Sequence, residues 1–309
     1  MSARPTVLFA LLLSTLAPLA ACGSSQPEAK SAEAEASRPR DAAKIAQQVI
    51  GGKYGALVHV NRARGNPSAA KFLQVGLVKE LLEGTSFEPL NDIERVFVTG
   101  VSASDPRAVV FAEHNLTQQR IPQVVVDLVN KSEPKGQVLM AGPYEWRVKV
   151  QKKGRGGVLA FIPPRYLVLV PEDLVGSLDA FEQTGGLPLP TGEEVAKFSA
   201  EDPSNTLRAK FAPTIPPTVS NLAGDVFLKP DGGVNIQAIG QSTATTAQQD
   251  AADLTKSVDD ATSMNLGKIK IRAFKAPVFV PEGDRIVTQH DLSQGEVETI
   301  MSVAASFIQ

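Results

Sequence analysis

The sequence predicts an α+β fold, two related copies of an antiparallel sheet with helices packed on it. Three observations predict it. Short alternating segments are bounded by Gly, Pro, Asn and Asp, as antiparallel strands are. Longer segments between them carry apolar residues at helical spacing. Blocks of sequence also recur in the same order. Val96-Phe97-Val98 is matched by Val226-Phe227-Leu228 at an offset of 130, and Asp127-Leu128 by Asp253-Leu254 at 126. Val148-Lys149-Val150 is matched by Ile269-Lys270-Ile271 at 121, and Phe161-Ile162-Pro163 by Phe279-Val280-Pro281 at 118. At that last offset Val168-Leu169 meets Ile286-Val287, and Asp173-Leu174 meets Asp291-Leu292. An offset that only shrinks is what loop deletions in a second copy would leave.

The body begins with a helix over Ala42–Ile50, stopped by Gly51-Gly52, a pair suited to a left-handed cap. In the first copy strands are expected at Ala56–Asn61, Glu94–Thr99, Ala108–His114, Glu145–Gln151, Gly157–Ile162 and Arg165–Val170. Helices are expected over Asn66–Glu83, Thr117–Asn130 and Glu172–Gln183. Asn66 and Pro67 supply an N-cap and a first-turn proline, and Phe72, Val75, Val78 and Leu82 form one face behind them. Gly185–Ser204, rich in Gly and Pro, reads as the connection between copies. The second copy is expected to have strands at Thr206–Phe211, Asp225–Leu228, Val234–Gly240, Lys268–Phe274, Pro277–Val280 and Asp284–Gln289. Its helices are Thr246–Thr262 and Gln294–Phe307, while Pro213, Pro216 and Pro217 break the counterpart of the earlier one. Ser293 and Glu296 have capping-box spacing, and Val297, Ile300, Met301, Ala304, Phe307 and Ile308 line one face behind them. Pro230–Gly233 and Lys153–Gly156 read as hairpin turns.

The first residues carry a different message. Arg4 precedes a short apolar run from Val7 to Leu16, and small residues follow at Ala17, Ala20 and Ala21, the pattern of a signal peptide. The run is too short to span a bilayer core, which needs about 20 residues. Leu19-Ala20-Ala21-Cys22-Gly23 resembles the lipobox of bacterial lipoproteins, and Cys22 is the sole cysteine of 309 residues. The resemblance covers residues 1–23 and implies diacylglycerol on the Cys22 sulfur and cleavage after Ala21. Gly23 stands where an Asp favours inner-membrane retention in that family, so the resemblance implies the outer membrane of the cell envelope. The organisation read from the sequence is therefore a signal peptide over 1–21, a lipidated cysteine with a tether over 22–41, and copies over 42–190 and 191–309. The tether has no large apolar residue and cannot bury enough surface to offset its ordering entropy.

Cleavage would leave 30 Lys and Arg against 33 Asp and Glu, a net charge of −3. That balance gives no electrostatic case for nucleic acid. With Cys22 lipidated, an intramolecular disulfide has no second thiol. The partners expected are the membrane, through the lipid, and another envelope protein.

The chemistry-bearing motifs are sparse. Ser68-Ala69-Ala70-Lys71 has the Ser-x-x-Lys pattern of penicillin-recognising enzymes, and Ser263-Met264-Asn265 a Ser-x-Asn, but the Lys-Thr-Gly that family needs is missing. His59, His114 and His290 lack zinc-motif spacing and read as strand histidines satisfying local hydrogen bonds. Asp173 and Asp291 read as helix caps, and Asp250, Asp253, Asp259 and Asp260 as a solvated helix face. No catalytic residue, metal site or cofactor is assigned. The candidate binding residues are Tyr144, Trp146 and Tyr166, which include the only tryptophan, with a basic tip of Lys152, Lys153 and Arg155 nearby. The expectation is a non-enzymatic binding or scaffolding protein with a ligand cleft between copies. The alternatives are an envelope hydrolase with a dispersed site around a histidine, and a lipid-carrying or chaperone-like module.

Overall fold

Twelve antiparallel strands form one sheet through the middle of this chain. The structure, a computed structural model, describes residues 41–66, 84–142, 145–152, 155–208, 212–266, 269–272 and 275–300. In chain order the elements begin with α1 (Ala42–Ile50), β1 (Tyr54–Val58), α2 (Val60–Ala63), α3 (Pro89–Asp92), β2 (Ile93–Gly100) and β3 (Val109–His114). Next come α4 (Ile121–Lys131), β4 (Gln137–Ala141), β5 (Trp146–Lys152), β6 (Arg155–Ile162), β7 (Tyr166–Val170) and a 3-10 helix (Glu172–Phe181). The remainder holds β8 (Ala196–Glu201), α5 (Pro203–Thr206), β9 (Asn221–Leu228), β10 (Val234–Gln241), α6 (Ala247–Ala261), β11 (Ser263–Leu266), β12 (Ile269–Arg272), β13 (Val280–Glu282) and β14 (Arg285–Leu292). Residues 294–300 are helical and are called α7.

The sheet order is β13-β14-β10-β9-β8-β1-β2-β3-β7-β6-β5-β4, and β11-β12 pair separately. The expected boundary near residue 190 is bridged by strand pairing, because β1 and β8 pair over five residues from Tyr54↔Ala200 to Val58↔Ala196. The two expected copies are joined there by a continuous ladder.

One row of side chains crosses this junction and changes character there. From β6 inward, Ala160, Val168, Phe111, Phe97 and Leu57 face the same way and are buried. Beyond β1 the same row continues as Lys197, Asp225, Gln237 and Gln289. The apolar part is covered by α1 and the 3-10 helix, which bring Ile45, Ala46, Leu178 and Phe181 into one cluster with it. Phe111 stacks between Tyr166 at 5.0 Å and Phe181 at 5.7 Å. The opposite face carries α4 over Val148, Val150 and Phe161, and α6 over Phe198, Leu222, Ala238 and Ile286.

The helix over Ala42–Ile50 forms and stops at Gly51 as expected, and Asp41, assigned to the tether from the sequence, caps its start. The Asp41 carboxylate accepts from the Ala43 amide at 2.8 Å, and Gly51 adopts φ 64° at the other end. The capping box also forms: the Ser293 amide donates to Glu296 Oε2 at 2.8 Å and the Glu296 amide to Ser293 Oγ at 3.3 Å. The turn at Pro230–Gly233 is closed by Lys229 N–H to Gly233 O at 2.9 Å.

Other expectations are corrected. Glu172–Phe181 is a 3-10 helix, whose three residues per turn set Leu178 and Phe181 one above the other on the buried side. The expected connection Gly185–Ser204 contains β8, where Phe198 and Ala200 are buried while Ser199 and Glu201 are exposed. The strand expected at Thr206–Phe211 is absent over its described part, since Pro203 opens a helical turn that Asp202 enters at φ 45°. β4 and β11 have no counterpart among the expected strands. The helix over Asn66–Glu83, with Ser68 and Lys71, falls outside the described residues after Asn66.

Candidate functional site

The residues picked from the sequence do not gather into one patch. Trp146 pairs with Phe161 and packs beside α4, half-buried, while Tyr166 is buried on the opposite face against Phe111. Alternation along β6 separates them, because their partners Phe161 and Ile162 are neighbours and point to opposite faces. Tyr144 and Lys153 lie outside the described residues, and Arg155 opens β6. The described lysine of the basic tip, Lys152, is paired with Glu133, and Lys149 on the same strand with Glu172 at 2.8 Å. Cys22 lies outside the described residues.

Asp173 and Asp291 are both exposed and serve different ends. Asp173 lies in the first turn of the 3-10 helix, 3.5 Å from Arg107, whereas Asp291 sits within β14 and accepts from Asn235 Nδ2 at 2.7 Å. Asp291 is no helix cap; Ser293 takes that place. Asp250 is likewise no part of a solvated face. It is buried at the start of α6, where it accepts from the hydroxyls of Thr218 (2.6 Å) and Ser242. Hydroxyl donors hold its pKa down against the upward pull of burial.

The three histidines depart most from expectation. His59 is fully buried, and neither ring nitrogen has a hydrogen-bond partner. Burial, then the Arg62 cation, lower its pKa to about 4, with Arg95 and Lys197 adding to the effect and Glu194 opposing it. His114 is buried edge-on against Phe161 with Nδ1 unpartnered, and burial with Arg165 lowers it to about 4. His290 Nε2 is unpartnered as well.

A strap over residues 185–195 closes the His59 end of the sheet. Its entry is fixed by Ala42 N–H to Gly186 O at 3.1 Å, by Leu187 N–H to Glu113 Oε1 at 2.7 Å, and by Arg95 Nη1 to Leu187 O at 2.7 Å. Gly186 has φ 86°, and a Cβ there would stand 2.4 Å from Glu113 Oε1, so the carboxylate occupies the space a side chain would need. The exit is fixed by Glu194, which is 2% exposed. Its carboxylate accepts from the amides of Thr191 and Gly192, both at 2.7 Å, and faces Lys197 Nζ at 3.4 Å. Burial alone would raise this carboxyl; the backbone donors and Lys197 outweigh it and bring the pKa to about 2. Arg62 Nη1 donates to the carbonyls of Gly192 and Glu194, and the His59 amide to Val195 O at 2.8 Å.

This cluster is suited to holding a strap and poorly suited to catalysis. A base of pKa about 4 is far from the matched value that makes proton transfer efficient near neutrality. Glu194 is already engaged by donors. Among the described residues, no group of three or more His, Cys, Asp or Glu side chains could hold a metal ion.

The two ends of the sheet are built differently. At one end β13 has three residues and contains Pro281 and Glu282. At the other, all five residues of β4 are exposed and none is charged; Val138, Leu139 and Met140 are 42–46% exposed. The β4–β5 register shifts between Val138 and Met140, so Leu139 has no Cα partner on β5. Local pattern hid this edge, for Gln-Val-Leu-Met-Ala has no alternation to mark a strand.

No family model and no curated protein matches the chain. A solved structure of the protein TP0453, in crystal form I, is similar with a TM-score of 0.49 and 8% identity, covering 88% of this chain and 100% of that one.

Proposed function

We propose that this chain is an envelope lipoprotein, held in the outer membrane by acyl chains on Cys22, with a body that binds or scaffolds and does no chemistry. The observation that carries the reading is the sole cysteine standing directly after Leu19-Ala20-Ala21 at the end of a short apolar run. Several acyl chains anchor far more stably than one. Among the described residues no helix is long and apolar enough to cross a membrane. The low pKa of the buried His59 counts against that ring as the general base of the hydrolase alternative.

In the same reading the body arose by duplication. The strand order supports this, running β1-β2-β3-β7-β6 on one side of the junction and β8-β9-β10-β14-β13 on the other. The third strand of each series is followed by a helix, α4 or α6, and then by an antiparallel pair, β4–β5 or β11–β12.

The anchor is tested by Cys22→Ala. The variant is expected in the soluble fraction of broken cells, with the parent chain in the membrane pellet after a high-salt wash. A variant that still sediments with membranes after that wash removes the basis of the reading.

A further inference from the structure

We propose that the outer edge of β4 is a self-pairing surface, on which a second copy of this chain adds its own β4 antiparallel to the first. Among the described residues no strand pairs that edge, so its backbone donors and acceptors point outward from the end of a twelve-stranded sheet. Exposed edges are ordinarily blunted by charge, proline or brevity. The β13 edge has all three devices, in Pro281, Glu282 and a length of three residues. β4 has no charge or proline between Gln137 and Ala141; its one edge-breaking feature is the register shift at Leu139, and it presents Val138, Leu139 and Met140 to solvent.

The contrast between the edges selects the occupant. Joining β4 of one copy to β13 of the next would make an open, head-to-tail array. Pro281 lacks the N–H such a ladder needs, and Glu282 would be set against an apolar strand. Joining β4 to β4 about a two-fold axis closes the assembly at two copies. With the axis at Leu139, Val138 of one copy faces Met140 of the other and Gln137 faces Ala141, so every opposed pair is uncharged. Like charges, which oppose such pairing, are absent from it. Five residues bury much less than the roughly 1,200–2,000 Å² of a stable interface, so the pair is weak in free solution. Tethering on one membrane supplies the effective concentration it needs; that clause alone rests on the anchoring proposed above.

The test is a scan of single cysteines at residues 137 to 141 in the full chain, in intact cells under mild oxidation, with Val126→Cys as an exposed control off the edge. Each is made with Cys22 and with Cys22→Ala, and the parent chain shows whether Cys22 itself forms disulfides. Disulfide-linked dimer is expected to peak at Leu139→Cys in the anchored chain, at least fivefold above the control, and to fall toward both ends of the strand. Placing a charge on the edge is the complementary change: adding Leu139→Lys to the Met140→Cys chain should bring its yield to the control level while the melting temperature stays unchanged. Equal yields at all five positions and at residue 126 would mean random collision, and no dimer from a folded chain would mean no pairing; either overturns the proposal. Dimer in both Cys22 backgrounds, with the variant still on membranes, leaves the edge pairing standing and removes the anchor.

Discussion

Ser199→Pro is expected to destabilise the whole body rather than half of it. Ser199 sits in the middle of β8, opposite Gly55 on β1 and Ala223 on β9, and its side chain is exposed. The substitution therefore changes the backbone and little else. A proline there removes a ladder hydrogen bond and places a ring in a central strand, a position that tolerates neither. The ladder partner left unsatisfied alone costs roughly 1–3 kcal/mol, before any clash of the ring, against the roughly 5–15 kcal/mol that holds a typical domain folded. Because β8 joins both parts of the sheet, the loss should appear at once in probes on either side of it. Denaturant unfolding followed by Trp146 fluorescence and by far-ultraviolet circular dichroism checks this. Coincident curves shifted together to lower denaturant are expected; an unchanged Trp146 transition beside a lost fraction of dichroism would mean the two parts fold independently.

Acidification is expected to have the next largest effect. His59 and His114 have pKa values of about 4 when folded, against an ordinary 6.5. The folded state holds both rings neutral, whereas the unfolded chain takes up protons below pH 6.5. Their contribution is complete above that pH and is lost as pH falls toward 4. At about 1.36 kcal/mol per pKa unit, each buried ring accounts for on the order of 3 kcal/mol across that range. Glu194 adds a second stage, since its carboxyl lies at about 2 against an ordinary 4.5 and its contribution is lost between those values. Denaturation midpoints at about pH 7 and about pH 4.5 should differ clearly, and His59→Gln should lose part of the difference, His114 and His290 keeping the rest. A variant whose midpoint moves with pH as the parent's does would show that His59 titrates normally.

How much of this was legible in the sequence depends on how local its cause is. Gly51, and Ser293 with Glu296, announce their helices because cap and helix are neighbours in the chain. β8 was hidden behind the Gly- and Pro-rich strap, and its inward face uses an alanine beside Phe198, which weakens the alternation. The environment of His59 is assembled from Arg62, Arg95, Glu194 and Lys197, so spacing along the chain carries no sign of it. The aromatic candidates failed to meet for a reason of parity: register decides which face Trp146 and Tyr166 take, and composition does not. The recurring blocks follow the strand series but not the register. No single two-fold through the β1–β8 pair reproduces both the 130-residue offset of β2 to β9 and the 118-residue offset of β7 to β14.

The proposed function rests on Cys22, the sole cysteine, as the point of lipid attachment. The most direct measurement is the intact mass of the full-length protein extracted from membranes in detergent, with sequencing of its N-terminal peptide. The expected chain begins at Cys22, has lost residues 1–21, and carries a diacylglyceryl group on the sulfur. A chain that retains those residues, or begins at an unmodified Cys22, would contradict the proposed function.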